Sequence, residues 1–212
     1  MSDFFSNTSG VLSNRTFHPE GIRFPASVLV PMFNINGSIN IMLTQRALNL
    51  DRQPGDFCFP GGMAENNETP EQTAIRETFE ETGINKKDIK ILGHLDYIVS
   101  SFGAYITPFA AKIDNSAINK MSISKSEVEK VIFVPLIHFI SVPPQLYRIE
   151  MKHSFPKDFP FDKIYGGKNY QWRKSYMDEY FYEYNGDVIW GITARIVKNL
   201  CDIIKQNNIS IS

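Results

Sequence analysis

Six carboxylates and one guanidinium crowd into a single stretch of this 212-residue chain. From Gly62 to Ile84, GMAENNETPEQTAIRETFEETGI, the residues Glu65, Glu68, Glu71, Glu77, Glu80 and Glu81 surround Arg76, giving a local net charge of −5 in a protein whose formal charge is −1. On a helix advancing about 100° per residue, Glu77, Glu80 and Glu81 share one face at i, i+3 and i+4. Ile75, Thr78, Phe79 and Thr82 then fall on the opposite face, toward a core. Like charges held this close are unfavourable without a cation, and hard oxygen ligands suit Mg²⁺ or Mn²⁺. The alternative is a solvated acidic helix face.

The helix that must carry these groups is signalled locally. Thr69 is an N-cap, Pro70 suits the first helical position, Gln72 completes a capping box and Gly83 is the stop, so the sequence predicts a helix over 70–82. Before it, residues 46–68 are rich in Gly, Pro, Asn and Asp and read as a long loop of the kind retained for function. The runs 27–34 and 38–45 are strands joined through Ile35, Asn36 and Gly37, a strong hairpin signal. Downstream, 88–99 and 104–113 read as strands around a Ser-Ser-Phe-Gly turn, 129–135 as another strand and 136–140 as a short helix. Asn185-Gly186 marks a second turn. Residues 190–206 read as a terminal helix with Ile192, Ile196, Leu200 and Ile203 on a common face. No internal repeat or linker interrupts the pattern, so 1–212 is expected to form one domain.

The spacing Gly62-x5-Glu68-x7-Arg76-Glu77-x2-Glu80-Glu81-x-Gly83-Ile84 resembles the Nudix box of the pyrophosphohydrolase family, with Thr78 where an aliphatic residue usually follows Arg-Glu. This resemblance implies a Nudix α/β/α sandwich with a mixed β-sheet. It also implies hydrolysis of a nucleoside diphosphate linked to another moiety, by water attack on phosphorus with divalent metals bound to the box. Carried over by position, Glu77, Glu80 and Glu81 are metal ligands, and Arg76 orients them through charge-assisted hydrogen bonds. Glu68 assists from outside that set. The general base varies within the family, so Glu80 and the loop residue Glu127 are both candidates. A surface glutamate before a strand explains Glu127 as well.

Upstream, MLTQRALNLDRQPGDFCFPGG is similar to the additional signature of the coenzyme A-directed Nudix branch. Leu43, Thr44, Arg46, Ala47, Gly55, Phe59, Pro60, Gly61 and Gly62 match it. Met42 replaces a Leu, and Asp51 stands at the arginine position with Arg52 one residue later. The resemblance implies a coenzyme A pyrophosphatase yielding 3',5'-ADP and 4'-phosphopantetheine, with Arg46, Arg52, Gly61 and Gly62 at the substrate. Two arginines beside a Gly-rich loop suit bidentate phosphate contacts, although ordinary surface arginines are equally a reading. The alternatives are a pyrophosphatase for ADP-ribose or dinucleoside polyphosphates, and a binding module of the same fold that lacks catalysis. Val134-Pro135-Leu136 and residues 189–195 also resemble the branch, and Trp190 and Ile192 read as core.

Residues 152–174 have the opposite charge, a local net +4, with Phe155, Phe159, Phe161, Tyr165, Tyr170 and Trp172 interleaved among the cations. That composition suits a grip on a phosphorylated adenine nucleotide, a homodimer interface or a plain flap. Bulk charge near zero disfavours a nucleic-acid partner. Cys58 and Cys201 lack the spacing of a disulfide framework or zinc site, and Cys58 reads as buried, not nucleophilic. Reduced cysteines with neither signal peptide nor spanning segment point to a cytoplasmic protein without a membrane partner.

Overall fold

The computed structural model describes residues 3–15, 19–21, 24–65, 67–100 and 103–211. Asn36 and Gly37 take positive φ, 52° and 85°, the turn geometry that matches strand twist. β1 (Phe24–Ile35) therefore folds back antiparallel onto β2 (Ser38–Arg46). The expected loop of 46–68 contains two short strands, β3 (Phe57–Cys58) and β4 (Gly61–Met63), which pair with β2 and β1 respectively. After helix α2 (Pro70–Thr82), the strands β5 (Ile89–His94), β6 (Ile98–Val99) and β7 (Ala104–Ile113) follow. Ser101 and Phe102 of the expected turn lie outside the described residues. β7 runs parallel to β1, and every other pairing in this sheet is antiparallel, so the sheet is mixed. β8 (Val128–Pro135) borders β2 and leads into α3 (Leu136–Ser141). A second, three-stranded sheet of β9 (Gln145–Met151), β10 (Ser175–Tyr184) and β11 (Asp187–Trp190) precedes the terminal helix α4 (Gly191–Gln206).

Strand alternation divides the core in two, because successive side chains point to opposite faces. Leu29, Phe33 and Met42 pack with Ala74 of α2, Phe109 and Ala111. Val30, Ile41 and Leu43 pack on the other face with Leu136, Phe139, Ile196 and Leu200 of α3 and α4. The result is the expected α/β/α sandwich. Among the described residues no helix is long and apolar enough to cross a membrane.

The buried face of α2 differs from expectation. Thr73, Ala74, Thr78 and Thr82 are buried, whereas Ile75 is half-buried and Phe79 is 51% exposed. Small residues let the helix approach β1 and β4 closely, and its threonines stay satisfied internally. Thr78 Oγ1 donates to Ala74 O at 2.7 Å and Thr82 Oγ1 to Thr78 O at 2.6 Å. The buried arc of α4 is likewise wider than the predicted stripe. It includes Thr193, Ala194, Val197, Cys201 and Ile204, with Ile192 and Ile203 only partly covered. α4 packs against the second sheet as well as the face of the main sheet that carries Val30, Ile41 and Leu43, so one stripe does not suffice. At the other end, α1 (Phe4–Asn14) is a helix without buried residues, capped by Asp3, whose carboxylate accepts from the Phe5 N–H at 3.1 Å.

Candidate active site

The cap signals hold α2 where they were read. Thr69 accepts from the Gln72 N–H at 3.3 Å, Gln72 Oε1 accepts from the Thr69 N–H at 2.8 Å, and Gly83 closes the C-terminus in the left-handed conformation. The loop reaches this helix through Gly61 and Gly62, which pair with Val28 and Ser27 of β1. A Cβ on Gly61 would overlap the backbone of Ser27 and Val28, and one on Gly62 would overlap the Glu77 carboxylate. Sheet and helix thus close on the two glycines from opposite sides.

Arg76 is the hub of the carboxylates. Its Nε donates to Glu68 Oε1 at 2.7 Å and its Nη2 to Glu68 Oε2 at 3.0 Å, a bidentate pair. Nη1 reaches Glu77 at 2.9 Å and Glu80 at 3.0 Å, and Nη2 also meets the Met63 carbonyl at 3.1 Å. The Arg76 hydrogen bonds hold Glu68 down at about 2, with help from the Glu65 N–H. The same partner, Glu68, raises the guanidinium above its ordinary value.

Glu81 turns the other way. Its Oε1 accepts from the Gly61 N–H at 3.2 Å, yet burial, joined by the charges of Glu77 and Glu127, pushes its carboxyl up to about 8. Glu77 is also raised by burial, against the pull of Arg76. The expected set of Glu77, Glu80 and Glu81 is therefore divided, two on Arg76 and one on Gly61. The half-exposed Glu80 stands outermost. Glu127, exposed at the start of β8, comes within electrostatic reach of both Glu77 and Glu81.

Arg46 does not point freely outward. Its Nε and Nη2 donate to the Arg52 carbonyl at 3.2 and 3.1 Å, clamping the loop. The Arg52 side chain is exposed. Cys58 lies beside Thr44 at 3.3 Å, and burial pushes its thiol up to about 11, which keeps it protonated.

Residues 23–157, well over half of the chain, match the sequence model of the NUDIX domain. The chain belongs to the NUDIX family. It is 34% identical over 116 residues to Nudix hydrolase 3 of Caenorhabditis elegans, covering 54% of this chain and 48% of that protein. It is also 34% identical over 134 residues to a peroxisomal coenzyme A diphosphatase of Mus musculus, covering 63% of this chain and 55% of that protein. The chain thus spans about half the length of these curated relatives. A solved MutT/nudix family protein from Enterococcus faecalis shares the fold, with a TM-score of 0.51 at 14% identity, over 96% of this chain and 70% of that one.

The NUDIX match stops short of a cavity wall that the sequence did not signal. A cavity of about 290 Å³ opens beside Gly61 and Arg46, walled by Phe57, Phe59, Ile106, Trp190, Ile192 and Glu179. Trp190 is 40% exposed, a correction to its reading as core. Its indole N–H needs a partner and donates to Asp56 at 3.3 Å, while its ring stacks on Phe181. Ile192 lines the same cavity. Neither Asp56 nor Glu179 stood out in the sequence, since Asp56 is a lone acid in a loop and Glu179 follows Asp178 on a strand without a motif around it.

The basic segment folds on itself. Phe155 packs on Phe159 at 4.8 Å, on Trp172 at 4.9 Å and on Phe161 at 5.3 Å between ring centroids, and Tyr170 meets Trp172 at 4.9 Å. Only Tyr165 is fully exposed among these rings. No cation of 152–174 lies over an aromatic face among the described residues.

Proposed function

We propose that this chain is a pyrophosphohydrolase acting on the phosphoanhydride bond of coenzyme A or its derivatives, releasing 3',5'-ADP and 4'-phosphopantetheine. The carrying observation is the carboxylate cluster anchored to Gly61 and Gly62. Its oxygens are of the type a hard divalent cation takes, but among the described residues no three such groups are gathered to hold one, because Arg76 engages Glu77 and Glu80. Glu81 and Glu77 are raised by burial, and the charge of Glu127 raises them further. Glu77 and Glu81 would lose their protons on ligating a cation, which would offset that cost. Glu77, Glu80 and Glu81 would hold Mg²⁺ or Mn²⁺, which would supply charge neutralisation on the phosphate oxygens and a more acidic water.

The remaining work falls to this chain's own groups. Arg76, fixed by Glu68 and the Met63 carbonyl, orients Glu77 and Glu80. Glu80, with Glu127 as the other candidate, takes the proton from the attacking water. Gly61 and Gly62 let the loop close against β1 and the Glu77 carboxylate, where any side chain would collide, and so hold the loop backbone beside the diphosphate. Arg46 stiffens the loop through the Arg52 carbonyl, leaving the exposed Arg52 guanidinium to meet phosphate. Support for coenzyme A comes from the loop signature and from the mouse relative, whose name is coenzyme A diphosphatase. Asp51 at the arginine position keeps ADP-ribose and dinucleoside polyphosphates in the test.

Incubation with coenzyme A, ADP-ribose and diadenosine polyphosphates, each with Mg²⁺ or Mn²⁺, followed by product separation, decides the substrate. Release of 3',5'-ADP from coenzyme A, faster than any cleavage of the other two, is expected. Preference for another member of the panel reassigns the substrate. No turnover of any of them removes the enzymatic reading for these substrate classes.

A further inference from the structure

We infer that Glu179 is a specificity-determining residue, which receives an N–H donor on the non-phosphate part of the substrate. The inference rests on the pyrophosphohydrolase reading for the identity of that substrate. Glu179 lies on β10, beyond the matched NUDIX residues 23–157. Its Oε2 is sealed from solvent and is the one buried side-chain N or O among the described residues without a hydrogen-bond partner. Such an oxygen is costly to leave unpaired, and native proteins rarely keep one without a use. Glu179 lines the cavity that begins at Gly61, the residue whose N–H holds Glu81.

Most of the rest of that cavity is apolar or already engaged. Val28, Phe57, Phe59, Ile106 and Ile192 form walls. Thr193 spends its hydroxyl on the Phe57 carbonyl at 3.0 Å, and Asp56 accepts from Trp190. An occupant needs an apolar body and a hydrogen-bond donor aimed at Glu179. About 290 Å³ accommodates one ring system or a length of chain, close to the lower bound for ligand sites. Two parts of the proposed substrate carry that chemistry, the exocyclic amine of adenine and the amide N–H of the pantetheine arm. A phosphate is disfavoured against Glu179 itself, whose carboxylate repels it, while Arg46 is the one cation among the described residues on the lining.

The test uses the full chain in EDTA, with calorimetric titration of adenosine 3',5'-diphosphate and, separately, 4'-phosphopantetheine. Wild type should bind one of the two, which identifies the donor. Glu179→Met, apolar and similar in length, should weaken that binding about 10- to 100-fold and at the same time raise the melting temperature by removing an unpaired buried oxygen. Glu179→Gln, which keeps one acceptor oxygen, should fall between. Unchanged binding in Glu179→Met, a lowered melting temperature in both variants, or no binding of either fragment to wild type would overturn the assignment. Turnover of coenzyme A with Mg²⁺, run in parallel, separates the two readings. Altered fragment binding without turnover defeats the enzymatic reading and keeps Glu179. Turnover with unaltered binding does the reverse.

Discussion

At Glu81 the site's electrostatics become measurable. Burial and the neighbouring charges of Glu77 and Glu127 hold its carboxyl up at about 8, against an ordinary value of 4.5. Between those values the folded chain binds a proton that the unfolded chain has lost, so the group's contribution is most favourable below about pH 4.5 and is lost as pH rises through about 8. Glu68 acts in the opposite direction and in a separate window. Held at about 2, it contributes above its ordinary value of 4.5 and loses that contribution only as the solution turns strongly acidic. The melting temperature of the metal-free protein should therefore fall between about pH 5 and pH 8, and Glu81→Gln should flatten that fall. Mg²⁺ or Mn²⁺ should raise the melting temperature more at the alkaline end, because ligation requires the deprotonated carboxylate. A slope unchanged in Glu81→Gln would reject the assignment. Glu80 predicts a different pattern, being half exposed and bound only to Arg76. Glu80→Gln should lower turnover about 10²- to 10⁴-fold while costing at most about 1 kcal/mol of stability by denaturant titration. Retained turnover would remove Glu80 from its role.

At the level of elements, closeness between α2 and the loop explains both what was legible and what was not. Turn and cap signals are local, so Asn36-Gly37 and the Thr69, Gln72 and Gly83 set located the hairpin and the helix from a few adjacent residues. Periodicity also identified an inner and an outer side of α2. It could not say how near the helix would come to the sheet, and that distance selected Thr73, Ala74, Thr78 and Thr82 over Phe79 for the inner side. The same closeness makes the two glycines differ. Gly61→Ala drives its methyl into strand backbone, which cannot yield, and should cost about 1–3 kcal/mol in a denaturant titration. Gly62→Ala meets the end of a flexible Glu77 side chain. It should keep most stability but displace Glu77, lowering turnover about 100-fold if Glu77 holds the metal as proposed. Equal stability losses at the two positions would contradict this account of the contacts.

Across the whole molecule, charge is segregated between an acidic helix and a basic segment, and only the first is built into a site. The −5 of residues 62–84 is organised by Arg76, Gly61 and the sheet behind them. The +4 of 152–174 surrounds an aromatic cluster that packs on itself and joins neither main core. Composition could not distinguish these cases, because it is blind to which rings meet. It was equally blind to Glu179 and Trp190, which acquire their surroundings only when the second sheet docks beside β3 and α4. A satellite cluster opens as a local unit, without carrying the core with it. Trp172→Ala removes the ring that touches His153, Phe155, Phe159 and Tyr170. Trypsin should then cut sooner at Lys157, Lys163 and Lys168, while the global melting temperature moves by less than about 4 °C, the equivalent of roughly 1 kcal/mol for a chain of this size. If the segment is purely a self-contained flap, KM for coenzyme A stays constant in this variant. A KM that rises with the onset of cleavage would mean that the ordered flap contributes cations to the bound nucleotide. A melting temperature that collapses instead would show the cluster to be part of the main fold, contrary to its separation from both cores.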